Sequence, residues 1–111
     1  GFKHHFANSK KRKKLHIAAV IINNFTYHLL SSAKSFCKKN NIDYDYFQDI
    51  LQQSIKNVQN EEAFQLQTGP AKRNDIKLIK KQLEVLEHED ALKEIYDLFT
   101  QQIIKKHHHE L

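Results

Sequence analysis

Thr68-Gly69-Pro70-Ala71-Lys72-Arg73-Asn74-Asp75 decides how the rest of the chain is read. Apart from Gly1, the 111 residues hold one glycine and one proline, and the two are neighbours here. A chain with so little backbone punctuation elsewhere is expected to be helix nearly throughout. Gly69 can take backbone angles closed to other residues, while Pro70 fixes its own φ and disfavours the α conformation just before it. The pair predicts a stiff turn that holds Thr68, Arg73 and Asp75 at the mouth of a helix starting near Asn74 or Asp75. A hydroxyl, a guanidinium and a helix N-terminus gathered in one place suit an anionic group. The same residues also fit a plain connecting turn whose Arg73 and Asp75 pair only with each other.

Upstream of that turn, Asn8 or Ser9 can cap a helix that meets no breaker until Asn40-Asn41. Thirty residues at 1.5 Å each make a rod of about 45 Å. Its middle is apolar around most of the circumference, through Leu15, Ile17, Ala18, Ala19, Val20, Ile21, Ile22, Phe25, Leu29 and Leu30. A helix of that kind must be covered on every side, and a small domain scarcely surrounds it, so a second copy is the expected cover. At ideal α spacing His16, Asn23 and Tyr27 fall on one stripe, with Asn24 beside it. These polar groups read either as a satisfied network between helices or as a ligand site.

Downstream, Asp43 is placed to cap a second helix bearing Phe47, Ile50, Leu51, Ser54, Ile55 and Val58 on one face. Phe64 and Leu66 are expected to anchor a loop or a short helical turn before the Gly-Pro turn. A third helix is predicted from about Asp75 to Glu87 with Ile76, Ile79, Leu83 and Leu86 inward. A last helix follows Glu89-Asp90 with Leu92, Ile95, Tyr96, Phe99 and Ile103 on one side. No segment alternates with period two over a useful length, so no sheet is expected. The organisation predicted is an arm or linker at 1–8, with Phe2 and Phe6 as anchors, a helical domain at 9–106 and a tail at 107–111.

Composition narrows the function classes. No run approaches the ~20 apolar residues of a membrane span, and no secretory-type segment opens the chain, so a soluble, cytoplasmic protein is expected. The single Cys37 cannot form an internal disulfide and reads as a small packed hydrophobe. Lys10, Lys11, Arg12, Lys13 and Lys14 form a basic block within a chain of net charge +5. Such blocks are usually solvated or serve as interaction arms. Nucleic acid is one conceivable partner, but aromatic residues are not interleaved with the cations and no nucleic-acid-binding signature is present. His4 and His5 are adjacent and so face apart on a helix, a poor metal pair, and no metal site is expected. There is no glycine-rich phosphate loop, no zinc spacing and no nucleophile with a base nearby in sequence.

Two stretches together resemble a known family. His16-Ile17-Ala18-Ala19-Val20 with Asn23-Asn24-Phe25, followed some forty residues later by Thr68 to Asp75, is similar to an uncharacterised all-α domain. In that family the domain follows an N-terminal Rossmann-type NADP-binding domain in oxidoreductases. Those proteins are similar to pyrroline-5-carboxylate reductases and, more distantly, to 6-phosphogluconate and 3-hydroxyisobutyrate dehydrogenases. The resemblance implies a 6-phosphogluconate dehydrogenase C-terminal-domain-like helical bundle that dimerises through its long first helix, residues 9–40, and faces a small-molecule substrate. It implies that NADP is held mainly by the upstream domain, so that this chain alone binds no cofactor and lacks turnover. His16 becomes the candidate catalytic residue, and Asn23, Asn24, Tyr27, Thr68, Gly69, Pro70, Arg73 and Asp75 the candidate substrate- or cofactor-facing set. Asn74 stands where relatives usually carry glycine, Gln82 where they often carry histidine, and Val20 where the hydroxyacid dehydrogenases have lysine. A stand-alone helical interaction module and a basic nucleic-acid-binding domain are the rival readings.

Overall fold

The computed structural model describes residues 8–60 and 62–108. The arm at 1–7, with Phe2, Phe6, His4 and His5, and the end of the tail at 109–111 lie outside the described residues. Every regular element among the described residues is helical: α1 (Ser9–Ala19), a π segment (Val20–Phe25), α2 (Thr26–Lys39), a 3-10 turn (Tyr44–Phe47), α3 (Gln48–Val58), α4 (Ile76–Val85) and α5 (Asp90–His108). The chain divides into two compact units, Gly1–Tyr44 and Asp45–Leu111.

The first unit is one uninterrupted helix of 31 residues in which α1, the π segment and α2 follow without a gap. Asn8 starts it, in extended backbone with its side-chain oxygen accepting from the Lys11 amide at 2.8 Å. The far end closes as capping chemistry predicts. Asn41 adopts φ 58°, the Ile42 amide bonds back to the Cys37 carbonyl at 2.8 Å, and the Asn41 amide reaches the Lys38 carbonyl. This paired closure satisfies carbonyls that the helix leaves open, and asparagine tolerates the left-handed angle it needs. The one buried side chain the described part of this unit holds is Cys37, which packs as expected. Ile17, Ile21, Ile22 and Phe25 are all more than half exposed.

The π segment was not foreseen. A π turn takes about one residue more than an α turn, so every position beyond it lags the α register by about one. Asn24, rather than Asn23, therefore falls in line with His16, and His28 takes the place expected of Tyr27. Asn23 and Tyr27 turn together onto an adjacent face. The single stripe expected from α spacing becomes two.

The second unit has a small core. Ala71, Ile79 and Ile104 are buried together, with Leu83, Tyr96 and Ile103 packed against them, and Leu86 and Thr100 are buried as well. The Tyr44–Phe47 3-10 turn follows Asp43 and runs directly into α3, which itself starts after Phe47 with no side-chain cap. Two local expectations need correction. Ile76 sits at the first position of α4 and stays 46% exposed, whereas Ile79, Leu83 and Leu86 do turn inward. On α5 the inward face runs through Tyr96, Thr100, Ile103 and Ile104, leaving Phe99 45% exposed. A threonine in the core hid that stripe, because its hydroxyl marks it as polar in a pattern search. The α3 stripe of Ile50, Ile55 and Val58 is mostly exposed in the single chain.

Candidate functional site

The Gly-Pro corner is built almost wholly from backbone rules. Gly69 takes φ +104°, which a side chain would resist, and Pro70 launches a single helical turn. That turn closes at Asn74, whose φ is 55°. Its amide bonds to the Ala71 carbonyl at 3.1 Å, and the Asp75 amide to the Pro70 carbonyl at 2.9 Å. The pairing repeats the one that ends α2, and it explains why glycine or asparagine belongs at residue 74. Asp75 then starts α4, its Oδ1 accepting from the Leu78 amide at 3.2 Å. The corner is anchored from below, since Ala71 is the residue it sends into the core.

Of the expected corner residues, Arg73 and Asp75 are brought together. Thr68 is exposed, Gly69 and Pro70 are half-buried, and Arg73 lies over Asp75 with Nη2 4.0 Å from Oδ2. Both side chains are well exposed, at 57% and 40%, so this is a loose pair in high dielectric and of small energetic worth. The Arg73 guanidinium keeps donors available to an incoming anion, beside a helix start that favours negative charge. Asp75 Oδ1 is engaged in capping α4.

In the other unit His16, Asn23, Asn24 and Tyr27 are all solvent-facing in the single chain, Tyr27 at 75%. Lys13, His16, Ile17, Val20, Ile21 and Phe25 line a shallow groove along one face of the helix, which places the His16 imidazole on the rim of an apolar strip. An imidazole in that setting can donate, accept or transfer a proton. The corner and this groove belong to separate compact units.

Sequence reasoning missed a third polar group. The Tyr96 hydroxyl donates to Gln82 Oε1, tying α5 to α4 beside the core. Burial pushes the Tyr96 phenol above its ordinary pKa, and a hydrogen bond with Thr100 pulls modestly the other way. The α5 end also reaches the corner region: His108 Nε2 donates to the Lys72 carbonyl at 2.7 Å, and His107 stacks on Phe64 with ring centroids 4.1 Å apart. Adjacent histidines with a glutamate nearby suggested a tail; nothing in their spacing signalled that the helix would carry two of them into packing contacts. Among the described residues no three His, Cys, Asp or Glu are grouped to hold a metal ion, and no helix is long and apolar enough to cross a membrane.

Residues 1–103 match the family described as Domain of unknown function (DUF2520). The chain belongs to that family. No curated protein matches this DUF2520 domain. Among solved structures, it is similar to a "putative NADP oxidoreductase" from Bacteroides fragilis, at 34% identity and a TM-score of 0.82. The match covers 89% of this chain and 38% of that one, so the DUF2520 domain spans well under half the length of its structural relative. An all-α domain with a long N-terminal helix, similar to part of such an oxidoreductase, is therefore what the sequence and the fold both give. The residues present do not form a dinucleotide cradle. A phosphate loop of the Rossmann kind needs several glycines between a strand and a helix, and this chain has two glycines in all and no strand among its described residues.

Proposed function

We propose that this DUF2520 domain is the C-terminal dimerisation and substrate-side domain of a cytoplasmic NADP-dependent oxidoreductase, working with a Rossmann-type domain upstream of it. The observation that carries the reading is the match to an oxidoreductase-described protein in which an equivalent of this chain makes up 38% of the length. In this reading His16 and Asn24, aligned by the π register, bind and polarise the substrate, with Asn23 and Tyr27 on the neighbouring face. Thr68 and Arg73 hold an anionic group of substrate or cofactor, while Gly69, Pro70 and Asp75 fix the corner that presents them. NADP, held upstream, supplies the hydride; this chain supplies the orienting groups and the dimer contact through residues 9–40. The exposed Ile17, Ile21, Ile22 and Phe25 support that contact, since hiding each large apolar side chain is worth about 1.5–3 kcal/mol.

The test compares two lengths of the same protein by NADPH fluorescence titration. The 111-residue chain is expected to show no saturable binding and no NADPH oxidation, while the protein carrying the proposed upstream domain should bind NADPH. Tight binding by the 111 residues alone, or none by the natural form, contradicts the proposal.

A further inference from the structure

Three carbonyls of the single turn that begins at Gly69 are taken locally. Those of Gly69, Pro70 and Ala71 accept from the amides of Arg73, Asp75 and Asn74. The Lys72 carbonyl takes its donor from far along the chain, His108 Nε2 at 2.7 Å, in the last turn of α5. Carbonyls left open at the end of a helical turn call for a donor of this kind. His107, the residue before it, stacks on Phe64 with the rings 4.1 Å apart and 11° from parallel. Lys106 Nζ lies 5.7 Å from the centroid of the same ring. Phe64 precedes the Gly69-Pro70 step and Lys72 follows it, so the end of α5 grips the chain on both sides of the corner.

The other contacts hold the corner less firmly. Ala71 anchors it in the core, but one fixed point leaves a turn free to rotate about it. The Arg73–Asp75 pair is exposed and loose at 4.0 Å. A Cβ at Gly69 would meet nothing within 4 Å, so no neighbour crowds the chain there. Thr68 lies between the two gripped residues, and Arg73 directly follows the second. Helix ends ordinarily fray, yet α5 stays helical to His108 with three consecutive side chains engaged in these contacts.

We propose that His107 and His108 are positioning residues: the last turn of α5 is a clasp that fixes Thr68 and Arg73 in one arrangement and so sets the affinity of the corner for an anion. The inference rests on the reading of Thr68 and Arg73 as anion-holding and adds what holds them in place. Both histidines lie beyond residues 1–103, the part of the chain matched to the family.

NMR of the whole chain tests the clasp by amide exchange and by titration with inorganic phosphate. Alanine is the best helix former, so His107→Ala/His108→Ala does not unwind α5 through propensity. In that variant the Asn74 and Asp75 amides should exchange about tenfold faster, as expected for losing one ring stack and one hydrogen bond. The amides of Leu83 and Thr100, in the interiors of α4 and α5, should keep the parent's rates. His107→Phe retains a stacking ring and His108→Gln retains a side-chain N–H donor, so that pair should restore slow exchange at the corner. Phosphate, read at the Thr68 amide and the Arg73 guanidinium, should saturate in the parent and bind about fivefold more weakly in the alanine variant. The Phe/Gln pair should bind it nearly as the parent does. Unchanged exchange at residues 74 and 75, equal acceleration at Leu83 and Thr100, no rescue by the Phe/Gln pair, or equal phosphate affinity in parent and alanine variant each overturns the clasp and leaves the anion reading standing. A parent whose Thr68 and Arg73 signals ignore phosphate overturns the anion reading, and this inference with it, whatever the exchange rates show.

Discussion

The two units reach order by different routes. The second, Asp45–Leu111, buries Ala71, Ile79, Leu86, Thr100 and Ile104 within itself and joins α4 to α5 by the Tyr96–Gln82 hydrogen bond. Cys37 alone is buried among the described residues of the first, which leaves its isoleucines facing outward. One unit carries its own small core, and the other is a rod whose large apolar side chains are exposed. An isolated helix gains most of its stability from packing of its apolar face, not from propensity, so on the proposed reading a second copy stabilises the first unit.

That contrast can be broken at several points. The largest effect is expected in the core of the second unit, where Ile79 is 4% exposed. Ile79→Ala should cost about 2–4 kcal/mol in urea denaturation, by lost transfer energy and an unfilled cavity. Ile21→Glu should act mainly on association, raising the dimer dissociation constant at least about a hundredfold, or about 2.7 kcal/mol, by sedimentation. A comparable loss of stability in dilute monomer would instead place Ile21 in a core.

Smaller effects sharpen the corner. A Cβ at Gly69 would meet nothing within 4 Å, so the penalty of Gly69→Ala is that of the backbone angle alone, about 1–2 kcal/mol in thermal unfolding. Asp75→Ala removes the α4 cap at a cost of about 1 kcal/mol, and Asp75→Asn should restore most of it. The smallest concerns Tyr96. Its phenol pKa is raised in the folded state, so the preference for the protonated form is fully present below the unfolded value near 10 and is lost as pH rises through the folded value. Stability should therefore decline above about pH 10, and Tyr96→Phe should flatten that decline in a denaturation series.

The features legible in the sequence are those governed by local chemistry. Asn8, Asn40-Asn41, Gly69-Pro70 and Asp75 each end or begin an element through bonds to residues within five positions, so identity and spacing were enough to place them. Residue 74 is instructive, because its left-handed angle was not expected from the sequence, although asparagine is among the residues that tolerate it. What stayed hidden depends on register or on neighbours. No residue preference marks the Val20–Phe25 π segment, yet it moves Asn24 into line with His16 and splits a stripe that α spacing had drawn as one. Thr100 was passed over as polar, though it is 6% exposed. The Tyr96–Gln82 bond joins residues 14 apart on different helices, beyond the reach of any local pattern.

Sedimentation equilibrium of the chain from micromolar to millimolar concentration, at moderate salt, asks most directly whether the rod is covered by its twin. A mass rising to twice the 13.2 kDa of one chain is the result predicted. A mass that stays at 13.2 kDa over the whole range would contradict the account.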